Sequence, residues 1–88
     1  MKSAKHYAAI ARPMDTGMIQ LAITNMSREP GNDAKIQGCK MELARRAGEI
    51  PSGVIREIMD ALARGADALD RMVRRALCDE LNRRSAAR

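Results

Sequence analysis

The sequence is almost without aromatic residues. Of its 88 residues only Tyr7 is aromatic, with no Phe and no Trp. The core must therefore be built from seven Ile, six Leu, two Val, fifteen Ala and the methionines Met14, Met18, Met26, Met41, Met59 and Met72. Alanine buries little, and a chain this short covers its apolar surface poorly by itself. Association with further copies, or completion of the core on a partner, is expected. The same shortage argues against a platform on which single-stranded bases stack. Cysteine is scarce as well: Cys39 and Cys78 are too few for a disulfide framework and read as reduced thiols of a cytoplasmic protein. Apolar runs are short. None approaches the roughly 18 to 20 residues of a membrane span. The longest apolar patch of residues 1–14, Tyr7-Ala8-Ala9-Ile10-Ala11, is too brief for a signal peptide. Histidine occurs once, at His6, so there is no His pair and no Ser/His/Asp set to build a nucleophile with its base. Cys78-Asp79-Glu80 lacks the ligand spacing of a zinc site, and the glycines form no phosphate-binding fingerprint. The expectation is a protein that is not an enzyme and needs no cofactor or metal.

What is plentiful is arginine. Arg outnumbers Lys twelve to four, and with the abundant Ala this suggests a GC-rich bacterial or phage genome. The net charge is +5. It is unevenly spread. Residues 1–14 carry Lys2, Lys5 and Arg12 and no acid. Residues 34–48 carry Lys35, Lys40, Arg45 and Arg46 against Glu42, and residues 71–88 carry six Arg against Asp79 and Glu80. Between them lie two acidic islands, residues 15–33 and 49–70. A basic start, middle and end can present phosphate-binding surface.

Hydrophobic spacing points to helices. Ile55, Ile58, Met59, Leu62, Ala66, Leu69, Met72, Val73, Ala76, Leu77 and Leu81 keep a three-four spacing over about seven turns. This is one long amphipathic C-terminal helix, or two helices broken near Gly65, with Ser52 as the N-cap. Arg71, Arg74, Arg75 and Cys78 line its opposite face. A second helix is expected from Ala34 to about Ala47, capped by Asn32 or Asp33 and stopped by Gly48, after the turn Glu29-Pro30-Gly31-Asn32. Residues 18–26 fit either a strand, with Ile19, Leu21 and Ile23 on one face, or a helix opened by Asp15 or Thr16. Their Met, Leu, Ala and Gln content favours the helix. Residues 3–12 suit a short first helix stopped by Pro13. The fold class expected is all-α: a small bundle of three to four helices, completed by oligomerisation. It forms a single domain over 1–88, with a basic arm at 1–14 and a helical hairpin core at 33–84.

The segment from Met41 to Met59 resembles a helix-turn-helix DNA-binding motif. Leu43, Ala44 and Ala47 correspond to the packing face of the first helix, Gly48 to the turn, and Ile50, Ile55 and Ile58 to the packing of the second. The resemblance implies that Ser52 and Arg56 approach base edges while Lys40, Arg45 and Arg46 hold phosphates. The same segment is also similar to the helix pair of phage-type ribbon-helix-helix repressors. That likeness implies a base-reading strand presenting Gln20, Ala22 and Thr24. Leu62, Leu69, Met72, Val73, Leu77 and Leu81 would form the interface of a homodimer or higher oligomer. The function expected is a small transcriptional regulator of bacterial or phage origin acting on double-stranded DNA. The alternative is a small helical inhibitor or adaptor with a protein partner, such as a phage protein that blocks a host nucleoprotein defence complex in the manner of CRISPR inhibitors. Three features support the alternative: the acidic islands, the methionine content, and the few hydrogen-bond donors on the Ser52-led helix.

Overall fold

The computed structural model describes residues 3–63 and 68–86. It is all-helical over those residues, with five α-helices rather than the three to four expected. They are α1 (Ala4–Ala11), α2 (Thr16–Met26), α3 (Asp33–Arg45), α4 (Ser52–Leu62) and α5 (Ala68–Ala86), with a 3-10 turn at Ala47–Glu49 between α3 and α4. The chain divides into two compact units, Met1–Leu43 and Ala44–Arg88, and α3 runs through the division.

In the first unit the helix starts are set locally. The Ser3 hydroxyl accepts from the His6 amide at 3.4 Å, and an Asp15 carboxylate oxygen accepts from the Met18 amide at 2.9 Å. Each satisfies a donor that a helix start leaves without an internal partner. The basic arm is thus largely helix α1. Pro13, which has no N–H to donate, follows the end of that helix. Residues 18–26 lie within α2, so the strand required by the ribbon-helix-helix likeness is not formed. Helical spacing buries Ile19 completely and turns Leu21 outward, whereas a strand would have placed both on one face. After α2 the chain reverses at Gly31, whose φ of +86° is the only positive one among the described residues. Asn32 stands just before α3. Its amide nitrogen donates back to the Met26 carbonyl at 3.2 Å and ties off the end of α2.

Helices α1 and α3 approach closely at Gly38. A Cβ there would lie 2.6 Å from the Tyr7 Cβ and 2.7 Å from both the Ala4 carbonyl oxygen and the Ala8 nitrogen. Helices α1 and α3 therefore meet backbone to backbone, which only a residue without a side chain permits. Cys39, next to it, is buried, and burial pushes its thiol pKa up. It is a core side chain, and the neighbouring Lys40 does not activate it.

The second unit is a helical hairpin. Arg84, near the end of α5, bonds to Ser52, the first residue of α4, so the two helices run antiparallel. Ile55, Ile58 and Leu62 of α4 and Val73 and Leu77 of α5 are buried, with Ile50 and Ala47 from the preceding turn. The long apolar stripe is therefore two helices. The expected break at Gly65 lies outside the described residues. Leu62, Val73 and Leu77, expected at an interface between copies, are already covered within the single chain. Met72 alone of that set is well exposed, while Leu69 and Leu81 are half-buried. No described helix is long and apolar enough to cross a membrane.

Candidate binding surfaces

The first unit carries an apolar recess of about 260 Å³ where α1, α2 and α3 converge. Ile10 and Met14 wall it from the α1 side, Ala22 and Met26 from α2, and Cys39 from α3. Almost no polar surface lines it. Lys35 reaches its edge, with the ammonium 5.9 Å from the centre of the Tyr7 ring, close enough for a cation–π contact. Met18 occupies the helical row of Ala22 and Met26, with Leu21 beside it. Ile10, Met18 and Leu21 are 52%, 55% and 62% exposed. Three large apolar side chains of this unit are thus left in water.

The second unit is closed at one end by Arg84. Its Nη1 donates to the Ser52 hydroxyl at 2.8 Å, and its Nη2 to the carbonyls of Ile50 at 2.7 Å and Ala47 at 3.3 Å. Its Nε donates to Glu80 at 3.0 Å. One planar guanidinium thus ties α5 to the turn before α4 and to the start of α4, a task suited to its fixed fork of donors. Glu80 also accepts from Nε of Arg83 at 2.9 Å and from its Nη2. Hydrogen bonding to Arg83, then to Arg84, together with the two positive charges, holds the Glu80 carboxyl down at about 2. Its folded pKa is depressed, so its contribution to stability is complete above the usual carboxylate range and fades as pH falls toward about 2. A carboxyl-carbon NMR titration should therefore place Glu80 well below the ordinary glutamate value. In Arg83→Ala its midpoint should move up toward that value. An ordinary midpoint in the unaltered protein would contradict the arrangement.

Next to this clamp lies a polar recess of about 230 Å³ lined by Ser52, Arg56, Leu81, Asn82, Arg84 and Ser85. Two of the five residues expected to meet DNA, Ser52 and Arg56, therefore share one hollow. The others are placed differently. Arg46 is only 8% exposed. It has interactions of its own within the chain, as do the exposed Arg45 and the half-buried Lys40. Ser52 is not the N-cap of α4: Pro51 holds that position, and the Ser52 hydroxyl accepts from Arg84 instead. His6 is exposed on α1, its ring edge-on to Tyr7 at 5.2 Å.

Sequence reasoning did not find Gly38 or Arg84. Gly38 carried no signal beyond being a glycine inside a helical pattern. Arg84 stood among the arginines near a helix C-terminus, where a favourable meeting with the helix dipole is sufficient explanation. The apolar recess had one forerunner, the helical spacing of Met18, Ala22 and Met26. Comparison with the models of protein families, with curated proteins and with solved structures finds no match to this chain.

Proposed function

We propose that this chain is a small, non-enzymatic binding protein. It acts by docking the apolar surface of its first unit on another polypeptide, as an inhibitor or adaptor of a larger assembly. The observation that carries this reading is the apolar recess with Ile10 exposed in its wall, together with the exposed Met18 and Leu21 of α2. Burying such side chains on a partner gains roughly 25 cal/mol for each Å² of apolar surface removed from water. Methionines, here Met14, Met18 and Met26, can remould to the partner's shape. A host nucleoprotein complex is the class of assembly we favour, because a net charge of +5 suits a partner carrying nucleic acid.

A photo-crosslinking residue in place of Leu21, in cells that contain the partner, tests this. A discrete protein adduct that disappears when Met18→Asp is added supports docking. Leu21→Asp alone should leave stability within about 0.5 kcal/mol, since Leu21 is a surface side chain. Adducts to nucleic acid only, or none from this position, would sink the reading.

Direct DNA binding keeps one specific support. Arg56 is exposed and makes no ion pair or hydrogen bond among the described residues. On that reading, affinity for random duplex DNA falls steeply with salt, and Arg56→Ala weakens it while Leu21→Asp does not.

A further inference from the structure

We propose that the polar recess at the Ser52–Arg84 end of the second unit is a phosphate-binding site, with Arg56 as its anchoring cation. This goes beyond the docking surface proposed above and involves none of its residues.

Four of the six side chains lining the recess offer hydrogen-bond donors to a ligand: the Arg56 guanidinium, the Asn82 amide, and the hydroxyls of Ser52 and Ser85; the Arg84 guanidinium is engaged with Glu80, Ser52 and backbone carbonyls. None is a carboxylate. The sixth, Leu81, is half-buried and gives one apolar wall. The two guanidiniums differ in their state. Arg84 is held in place by Glu80, the Ser52 hydroxyl and the backbone carbonyls, and it shares the Glu80 carboxylate with Arg83. Arg56 has neither tie nor counter-charge among the described residues, although Glu57 and Asp60 stand exposed on the same helix. Of the two cations in the recess it is the one without a carboxylate partner among the described residues. Ser52 already accepts from Arg84, so its own hydroxyl proton is free to point at a ligand.

Donors from both α4 and α5 around one hollow suit an anion with oxygens pointing in several directions. A phosphate group has three or four such oxygens, whereas a carboxylate has two in one plane. Charge-assisted bonds from a guanidinium fork are the strongest contacts of this kind. The clamp made by Arg84 gives the recess a rigid floor, so little ordering is lost when an anion enters.

The test uses the full chain, labelled with 15N, titrated with inorganic phosphate at constant ionic strength. Saturable shifts at the Arg56 side-chain Nε–H and at the Ser52, Asn82 and Ser85 amides are expected. Arg56→Gln should weaken binding about tenfold or more. Arg75→Gln, which alters an exposed arginine of α5 outside the recess, should leave it unchanged. A short DNA duplex forms a second arm. If it moves the same peaks at lower concentration, the phosphate comes from nucleic acid; if only inorganic phosphate moves them, the ligand is a free phosphate. Shifts that never saturate would overturn the proposal, as would equal affinity in Arg56→Gln. Acetate binding as tightly as phosphate would do the same.

Discussion

Replacing Gly38 by alanine is expected to destabilise the first unit by about 1–3 kcal/mol, the usual cost of forcing extra volume into a filled contact. The sign is the informative part. In an exposed helix interior the same change stabilises by about 1 kcal/mol, because glycine wastes backbone entropy. At Gly38 the added Cβ would come within 2.7 Å of the Ala4 carbonyl oxygen and the Ala8 nitrogen. Both atoms belong to the backbone of α1, so no side-chain rotation relieves the overlap and the whole helix must back away. Helix α1 has only 8 residues, well under the length at which an isolated helix holds in water. Once displaced it should fray. Tyr7, the only aromatic residue, sits at the overlap and reports the event through its own fluorescence. The recess walls Ile10 and Met14 go with α1, so the docking proposed for the recess should weaken too. Gly53→Ala is the control: nothing lies within 4 Å of a Cβ at that position, and the change should be neutral or stabilising by up to about 1 kcal/mol. A urea midpoint for Gly38→Ala equal to or above that of the unaltered chain would refute the close approach of α1 and α3.

Removing Arg84 should destabilise the second unit. Arg84→Ala deletes a guanidinium that serves the Ser52 hydroxyl and the carbonyls of Ala47 and Ile50. Those carbonyls lie in the turn that delivers the chain to α4, and they lose their partner without gaining full access to water. Bonds to a charged donor are worth about 1.5–3 kcal/mol, and the side chain is 27% exposed, so screening trims the total. A loss of about 2–3 kcal/mol is expected, read as a lower urea midpoint by circular dichroism. Arg84→Lys should recover less than half of it, because an ammonium cannot span Ser52, Ile50 and Glu80 together. Arg83→Ala should change the midpoint little: Arg83 is exposed and touches only the outer side of Glu80. If Lys at position 84 restores full stability, charge alone holds this end of the hairpin and the fork geometry is irrelevant.

Both residues lie where a single sequence is hard to read. The steric demand at Gly38 comes from a helix that starts 34 residues earlier, and no local pattern marks the crossing point. Ser52 shows the same limit from the other side. Its type and place, just before an apolar periodic run, suit an N-cap. The structure makes it the first residue of the helix and the acceptor of a bond from a residue 32 positions away. Arg46 stands beside Arg45 in the chain, yet one is buried and the other exposed. Their shared charge could not separate them.

The sequence alone determined the helical class, the helical state of residues 18–26 suggested by their composition, the turn at Gly31 and the starts of α1 and α2. It also determined the apolar faces of α4 and α5. All of these follow from relations between a residue and its neighbours three or four positions away: caps, propensities and the 3.6-residue period. Tertiary structure decided how the apolar stripe is used: Leu62, Val73 and Leu77 are covered by the chain itself, while Ile10, Met18 and Leu21 are left outward. It also decided that Arg56 stands without an ion pair or hydrogen bond among the described residues, while Arg46 is buried. Burial and pairing depend on what another helix brings alongside, and that information is spread over tens of residues rather than written at any one of them.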